Sequence, residues 1–189
     1  MNRLIKAALD LIFPRSCVHC GDAIEGAAYD FLCSECEQDI LPCLPPACKT
    51  CGYPFFGAVI GPKVCPHCVD LDPVFDQGKA LFIAKGAGRS LLHNLKYQQG
   101  FYVLQDFRKM VTTTRHYLDY IQNATLIPVP LHPTKLRERG FNQSERIADM
   151  LISTTNRSST VENLLIRQIY TQTQTRLNQL ERHQNVKNA

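Results

Sequence analysis

Apolar residues recur at helical spacing in four stretches of the chain and run together in three others. Leu4, Ile5, Ala8, Leu9 and Ile12 share one face and Pro14 ends the run, which predicts a short N-terminal helix packed on its own protein. Leu91, Leu92 and Leu95 predict a second helix within GAGRSLLHNLKYQ. Residues 101–121 contain a third, with Phe107, Val111, Leu118 and Ile121 among its apolar positions, and Ile147, Ala148, Leu151 and Ile152 mark a fourth in NQSERIADMLIST. KALFIA (79–84), ATLIPVP (124–130) and VENLLIRQ (161–168) read as strands. The unbroken apolar run of the second suggests burial on both faces. Strands alternating with helices predict an α/β fold with an open, mostly parallel sheet over residues 77–189.

Residues 1–76 do not fit that pattern and read as a separate module. All nine cysteines lie there, eight of them in four CxxC pairs: Cys17 and Cys20, Cys33 and Cys36, Cys48 and Cys51, Cys65 and Cys68. Each CxxC turn presents two thiolates from one tight loop, and two loops close a tetrahedral shell around zinc. Glycine follows the turn at Gly21 and Gly52, where a knuckle bends back through positive φ. Two structural zinc sites are therefore expected, supplying folding free energy to a segment too small for a large core. Spacing leaves open whether the pairs close sequentially or in a crossed arrangement. Cys43 has no partner and reads as a small buried hydrophobe. Disulfides are disfavoured by the odd cysteine count, the regular pairs and the lack of a secretory leader, so the expected location is the cytoplasm. No apolar run approaches the roughly 20 residues of a bilayer span.

Charge sharpens the division. Residues 1–76 hold 5 basic and 10 acidic residues, net −5, and residues 77–189 hold 16 and 7, net +9. A phosphate-rich ligand would be met by the second module. The segment PVPLHPTKLRERGFNQ follows a predicted strand, where open α/β sheets bind ligands. Lys135, Arg137 and Arg139 can bond phosphate, Gly140 permits close backbone approach, and Asn142 or Ser144 can cap the following helix. Phe101, Tyr102 and Phe141 are candidates to stack on bases.

Four CxxC pairs, LLHNLKYQQG at 91–100, IPVPLHPTKLRERGFNQSERIADML at 127–151 and the terminal TQTQTRLNQLERHQNVKNA together resemble the ComF family over nearly the whole chain. The resemblance implies a double zinc ribbon (1–76) followed by a type I phosphoribosyltransferase-like domain (77–189). It implies that Arg139, Gly140 and Phe141 form the RGF of a pyrophosphate loop continued by Asn142 and Gln143, with Arg139 as catalytic residue. It further implies that Lys96 and Tyr97 face the same ligand and that Arg182 and Asn185 lie near it. Family membership implies DNA uptake and natural transformation, with single-stranded DNA and other competence or DNA-processing proteins as partners. Phosphoribosyl pyrophosphate with magnesium is implied as a further ligand. One departure stands out: no acidic pair followed by a Thr-Thr-Gly turn occurs, so the sheet is expected to be incomplete at its C-terminal side and phosphoribosyl transfer weak or absent. The classes to separate are thus a nucleic-acid-binding protein, a phosphoribosyltransferase and a zinc-dependent assembly module.

Overall fold

A computed structural model describes residues 15–187 except 62, 72 and 156–158. The expected N-terminal helix lies outside the described residues. The chain divides into two compact units, Met1–Tyr120 and Ile121–Ala189.

The first unit begins with two similar knuckles. In the first, Ser16 bridges Ala23 antiparallel, and the N–H of Gly21 closes the turn on the carbonyl of Cys17 at 2.9 Å. In the second, Ala47 bridges Pro54, and Gly52 closes on Cys48 at 2.9 Å. Both glycines have positive φ, +86° and +73°, as the sequence predicts. Each knuckle is answered by a short helix that begins just after the first cysteine of the next pair and carries its second, α1 (Ser34–Gln38) with Cys36 and α2 (Pro66–Leu71) with Cys68.

KALFIA, expected as a sheet strand, is a single antiparallel bridge between Phe82 and Pro42 in the chain joining the two knuckles. The Cys43 N–H donates to the Leu81 carbonyl at 3.1 Å, and the Ile83 N–H donates to the Leu41 carbonyl at 2.9 Å. Proline at 42 has no N–H and cannot extend the ladder, which accounts for its shortness.

Helix α3 (Gly86–Tyr97) follows and buries Leu91 and Leu95 completely, with Leu92 half-buried. The helical stretch expected over 101–121 is a 3₁₀ turn (Phe101–Val103), then α4 (Leu104–Thr113), then α5 (Arg115–Ile121). The break falls at Thr114. The hydroxyls of Thr112, Thr113 and Thr114 all donate back to carbonyls of residues 108–110, and three consecutive β-branched residues weaken the helix further.

Helix α4 buries Phe107, Met110 and Val111 together with a carboxylate, Asp106. Asp106 is fully buried and accepts the backbone N–H groups of Asp30 and Phe31 at 2.7 and 2.9 Å. Around this bond Asp30 pairs with Arg15 and Lys109, both at 3.0 Å, and Lys109 also donates to the Ala28 carbonyl at 2.8 Å. Burial pushes the Asp106 carboxyl up, against the pull of the two N–H donors. The helical core is thus tied to the loop between the first two cysteine pairs.

In the second unit, β1 (Thr125–Leu126) pairs parallel with β2 (Thr160–Val161), in the register Thr125 to Thr160 and Leu126 to Val161. Helices α6 (Pro133–Arg139) and α7 (Gln143–Thr154) form the crossover between them. The parallel sense and the α7 core face agree with the sequence: Ala148 and Leu151 are buried, with Met150 beside them. Strand length does not. Among the described residues each strand is two residues long, and Ile127, Val129, Leu164, Leu165 and Ile166 are exposed rather than enclosed in a sheet. Pro128 and Pro130 lack the donors a longer ladder needs. After the ribbons the region is mostly helical with one small parallel sheet.

Replacing Asp106 by Ala strands two buried backbone donors. Urea unfolding of the zinc-loaded protein should show a loss of about 2–4 kcal/mol, whereas Asp119→Ala, on the exposed face of α5, should shift stability by less than about 0.5 kcal/mol.

Candidate metal centres and anion loop

The eight paired cysteines gather into two groups: Cys17, Cys20, Cys33 and Cys36, and Cys48, Cys51, Cys65 and Cys68. Within each group the sulfurs all lie within 4.8 Å of one another. The pairing is sequential, which spacing alone left open. A tetrahedron of sulfurs about 2.3 Å from a central zinc has an edge of about 3.8 Å. The Cys20–Cys33 and Cys51–Cys65 sulfurs are each 3.7 Å apart, far beyond a disulfide bond, and all nine thiols are free. The donor set and its dimensions fit zinc.

Backbone geometry prepares the sulfurs for charge. The His19 N–H points at Cys17 Sγ at 3.5 Å, the Cys36 N–H at Cys33 Sγ at 3.5 Å, and the Cys65 N–H at Cys48 Sγ at 3.3 Å. Burial works against ionisation of Cys17, but backbone donors at Cys20, Cys33 and His19 bring its thiol down to about 6. Cys48 follows the same pattern, opposed by burial and drawn down to about 6 by Cys51, Cys65 and Thr50. Burial and neighbouring thiols push Cys68 up to about 12 and Cys36 upward as well. Each group therefore holds one readily formed thiolate among thiols that resist ionising beside it. A divalent cation at the centre removes that conflict.

His19 and His67 stay outside both ligand sets, as the sequence suggested. His19 is exposed, and its Nδ1 lies 2.9 Å from Ser90 Oγ. Cys43 is buried outside both groups, where burial raises its thiol, and its carbonyl lies 3.1 Å from His116 Nε2.

The second candidate site is built on the crossover of the second unit. His132 starts α6, its Nδ1 accepting the Thr134 N–H at 3.2 Å. Gly140 ends α6 at φ +81°, a left-handed cap that a side chain would strain. Asn142 then caps α7: Oδ1 accepts the Ser144 N–H at 3.0 Å, and Nδ2 donates to the Val129 carbonyl at 3.1 Å. It is almost fully buried, so the segment after β1 and the start of α7 are held in fixed register.

Lys135, Arg137 and Arg139 are carried by α6, with Gln143 opening α7. Lys135 sits 3.4 Å from Glu138 and 5.3 Å from the Tyr170 ring centroid, and the hydrogen bond its ammonium donates to Tyr170 leads the effects that raise its pKa. Arg137 is exposed, and the Arg139 guanidinium donates to Gln143 Oε1. The basic last turn of α6 also complements the negative end of its own helix, a purely structural role for the same charges. Phe141 is only 6% exposed, so its ring is core and not a stacking platform.

The remaining sequence candidates are carried by two other helices. Lys96 and Tyr97 close α3 in the first unit, with Tyr97 exposed beside His93. Arg182 and Asn185 lie on α8 (Gln179–Val186) and bond their own approach segment: Arg182 Nε donates to the Gln174 and Leu177 carbonyls, and Asn185 Nδ2 to that of Gln172. Sequence reasoning missed Asp106. Its signal was an acidic residue at an inward position beside Phe107 and Met110, where helical spacing calls for an apolar side chain.

Residues 8–69 match the family described as "Double zinc ribbon domain". The chain is also 26% identical over 179 residues to Competence protein F of Haemophilus influenzae, a match that covers 92% of this chain and 74% of that protein. No solved structure matches. The chain thus carries a double zinc ribbon domain and is a distant homologue of that competence protein. No helix among the described residues is long and apolar enough to cross a membrane.

Elemental analysis of protein purified under reducing conditions should find about two zinc ions per chain. Cys48→Ser should lower this to about one, while Cys43→Ala should leave it at about two.

Proposed function

We propose that this chain is a competence-type protein that binds single-stranded DNA in the cytoplasm through phosphate contacts on the α6–α7 crossover, with two zinc ribbons as structural scaffold. One observation carries this: cations at Lys135, Arg137 and Arg139 precede a left-handed glycine and a rigidly capped 12-residue helix inside a parallel crossover. Clustered cations beside a helix N-terminus bind phosphate oxygens without reading sequence. The distant relationship to a protein named for competence points to the same class. Gly140, Gln143, Arg182 and Asn185 of the same unit complete the proposed ligand-facing set, with Phe141 and Asn142 contributing through the backbone.

The β1–crossover–β2 unit is also what a phosphoribosyltransferase-type sheet would contain around its pyrophosphate loop. In a transferase Arg139 would stabilise the departing pyrophosphate, with magnesium bound to phosphoribosyl pyrophosphate. The cations of α6 beside the capped start of α7, together with the distant relationship to a competence protein, favour nucleic-acid binding over transfer.

Anisotropy titration of a labelled oligothymidylate should give an affinity that falls linearly with salt on logarithmic axes. Arg137→Ala should flatten the slope by about 0.7, the share of one phosphate contact on a single strand. Binding indifferent to ionic strength contradicts the proposal. Calorimetry with phosphoribosyl pyrophosphate and magnesium tests the transferase alternative, for which tight binding would be the supporting result.

A further inference from the structure

A cavity of about 300 Å³ lies wholly within the first unit, between α1, the paired segments 41–43 and 81–83, and the end of α4. Leu81, Phe82 and Met110 form its apolar walls, and Tyr29, Glu37, Thr113 and Thr114 supply its polar atoms. The volume is at the lower end for ligand sites, enough for a ring system and too small for a nucleotide chain.

Its polar chemistry is one-sided. The Thr113 hydroxyl donates to the Lys109 and Met110 carbonyls at 3.0 Å, and that of Thr114 to Met110 at 2.7 Å. Both hydrogens are engaged, so these oxygens can only accept. Glu37 Oε2 takes the Ala28 N–H at 3.1 Å, and Oε1 has no partner among the described residues. Among the lining side chains of the described residues the Tyr29 hydroxyl supplies a donor, and burial, then the charges of Glu37 and Asp106, raise its pKa. No Lys or Arg lines the cavity, so an anion would meet only the Glu37 charge.

The geometry points to a site for an amino-bearing nucleobase of the adenine or cytosine kind, its exocyclic amine donating to Glu37, its adjacent ring nitrogen accepting from Tyr29 and its face against Phe82. Uracil and thymine are disfavoured, because they turn carbonyl oxygens toward the carboxylate where adenine and cytosine offer an amine. The site does not depend on the phosphate contacts of α6 and α7, since a nucleoside carries no phosphate.

Zinc-loaded protein is titrated with adenosine, cytidine, uridine and thymidine by calorimetry, and with oligodeoxycytidylate and oligothymidylate of equal length at matched salt. Adenosine and cytidine should bind at least about tenfold tighter than uridine and thymidine, a difference of about 1.4 kcal/mol. A preference confined to the oligonucleotides would assign the base to a strand rather than to a free nucleoside. Glu37→Gln should remove the discrimination. Thr113→Trp, at an exposed position, should fill the cavity and remove binding with two zinc ions retained. Equal binding of all four nucleosides with no strand preference, absence of binding to either form, or discrimination that survives both substitutions overturns the site. Salt-dependent oligothymidylate binding tests the α6–α7 contacts separately.

Discussion

Four thiols packed within a few ångströms cannot all ionise unless a cation sits among them. The first unit is organised around that constraint, twice. Each knuckle aims backbone N–H groups at a sulfur and creates one ready thiolate, while burial and neighbouring sulfur hold others protonated. A structural zinc turns this conflict into about 10–16 kcal/mol of apparent binding free energy at neutral pH, of the order of a whole domain's stability. Few buried aliphatic side chains lie in the ribbons themselves: Cys48, Cys65 and Cys68 form a buried cluster against Phe55 and Val64. Sulfur is the core there.

What the clamps fix extends beyond the ribbons. The loop between Cys20 and Cys33 presents the Asp30 and Phe31 N–H groups to Asp106, and the chain between the ribbons presents Leu41 and Cys43 to residues 81–83. Through these bonds α3 and α4 are held in the same unit as the metal centres, and the cavity forms between them. The second unit uses a different device. A left-handed glycine and a buried asparagine set the angle and register at which α7 starts, and so where its N-terminus meets the cations of α6.

Local chemistry was legible in the sequence wherever one residue type answers one geometric demand. CxxC spacing gave the metal groups, Gly21 and Gly52 gave positive φ, and the helix cap was narrowed to Asn142 or Ser144, of which the structure uses Asn142. Helical spacing gave the faces of α3 and α7. Strands were legible only in part, because a strand depends on a distant partner. KALFIA has the composition of a strand, yet it faces Pro42, which can donate nothing. ATLIPVP pairs in parallel through Thr125 and Leu126 only, and VENLLIRQ contributes just Val161, with Thr160 before it. Asp106 and the cavity were hidden for the same reason, since both are defined by segments some 70 residues apart. The division at residue 120 likewise reflects contacts between the ribbons and α3–α4 that composition and charge, which change near residue 76, do not register.

Amide hydrogen exchange on zinc-loaded and metal-stripped, reduced protein tests most directly whether the metal clamps organise the first unit. The Asp30 and Phe31 amides should be protected with zinc and exchange rapidly without it, while amides within α7 keep their protection. Equal protection of Asp30 and Phe31 in both forms would contradict the account, because the Asp106 contact would then form without the metals.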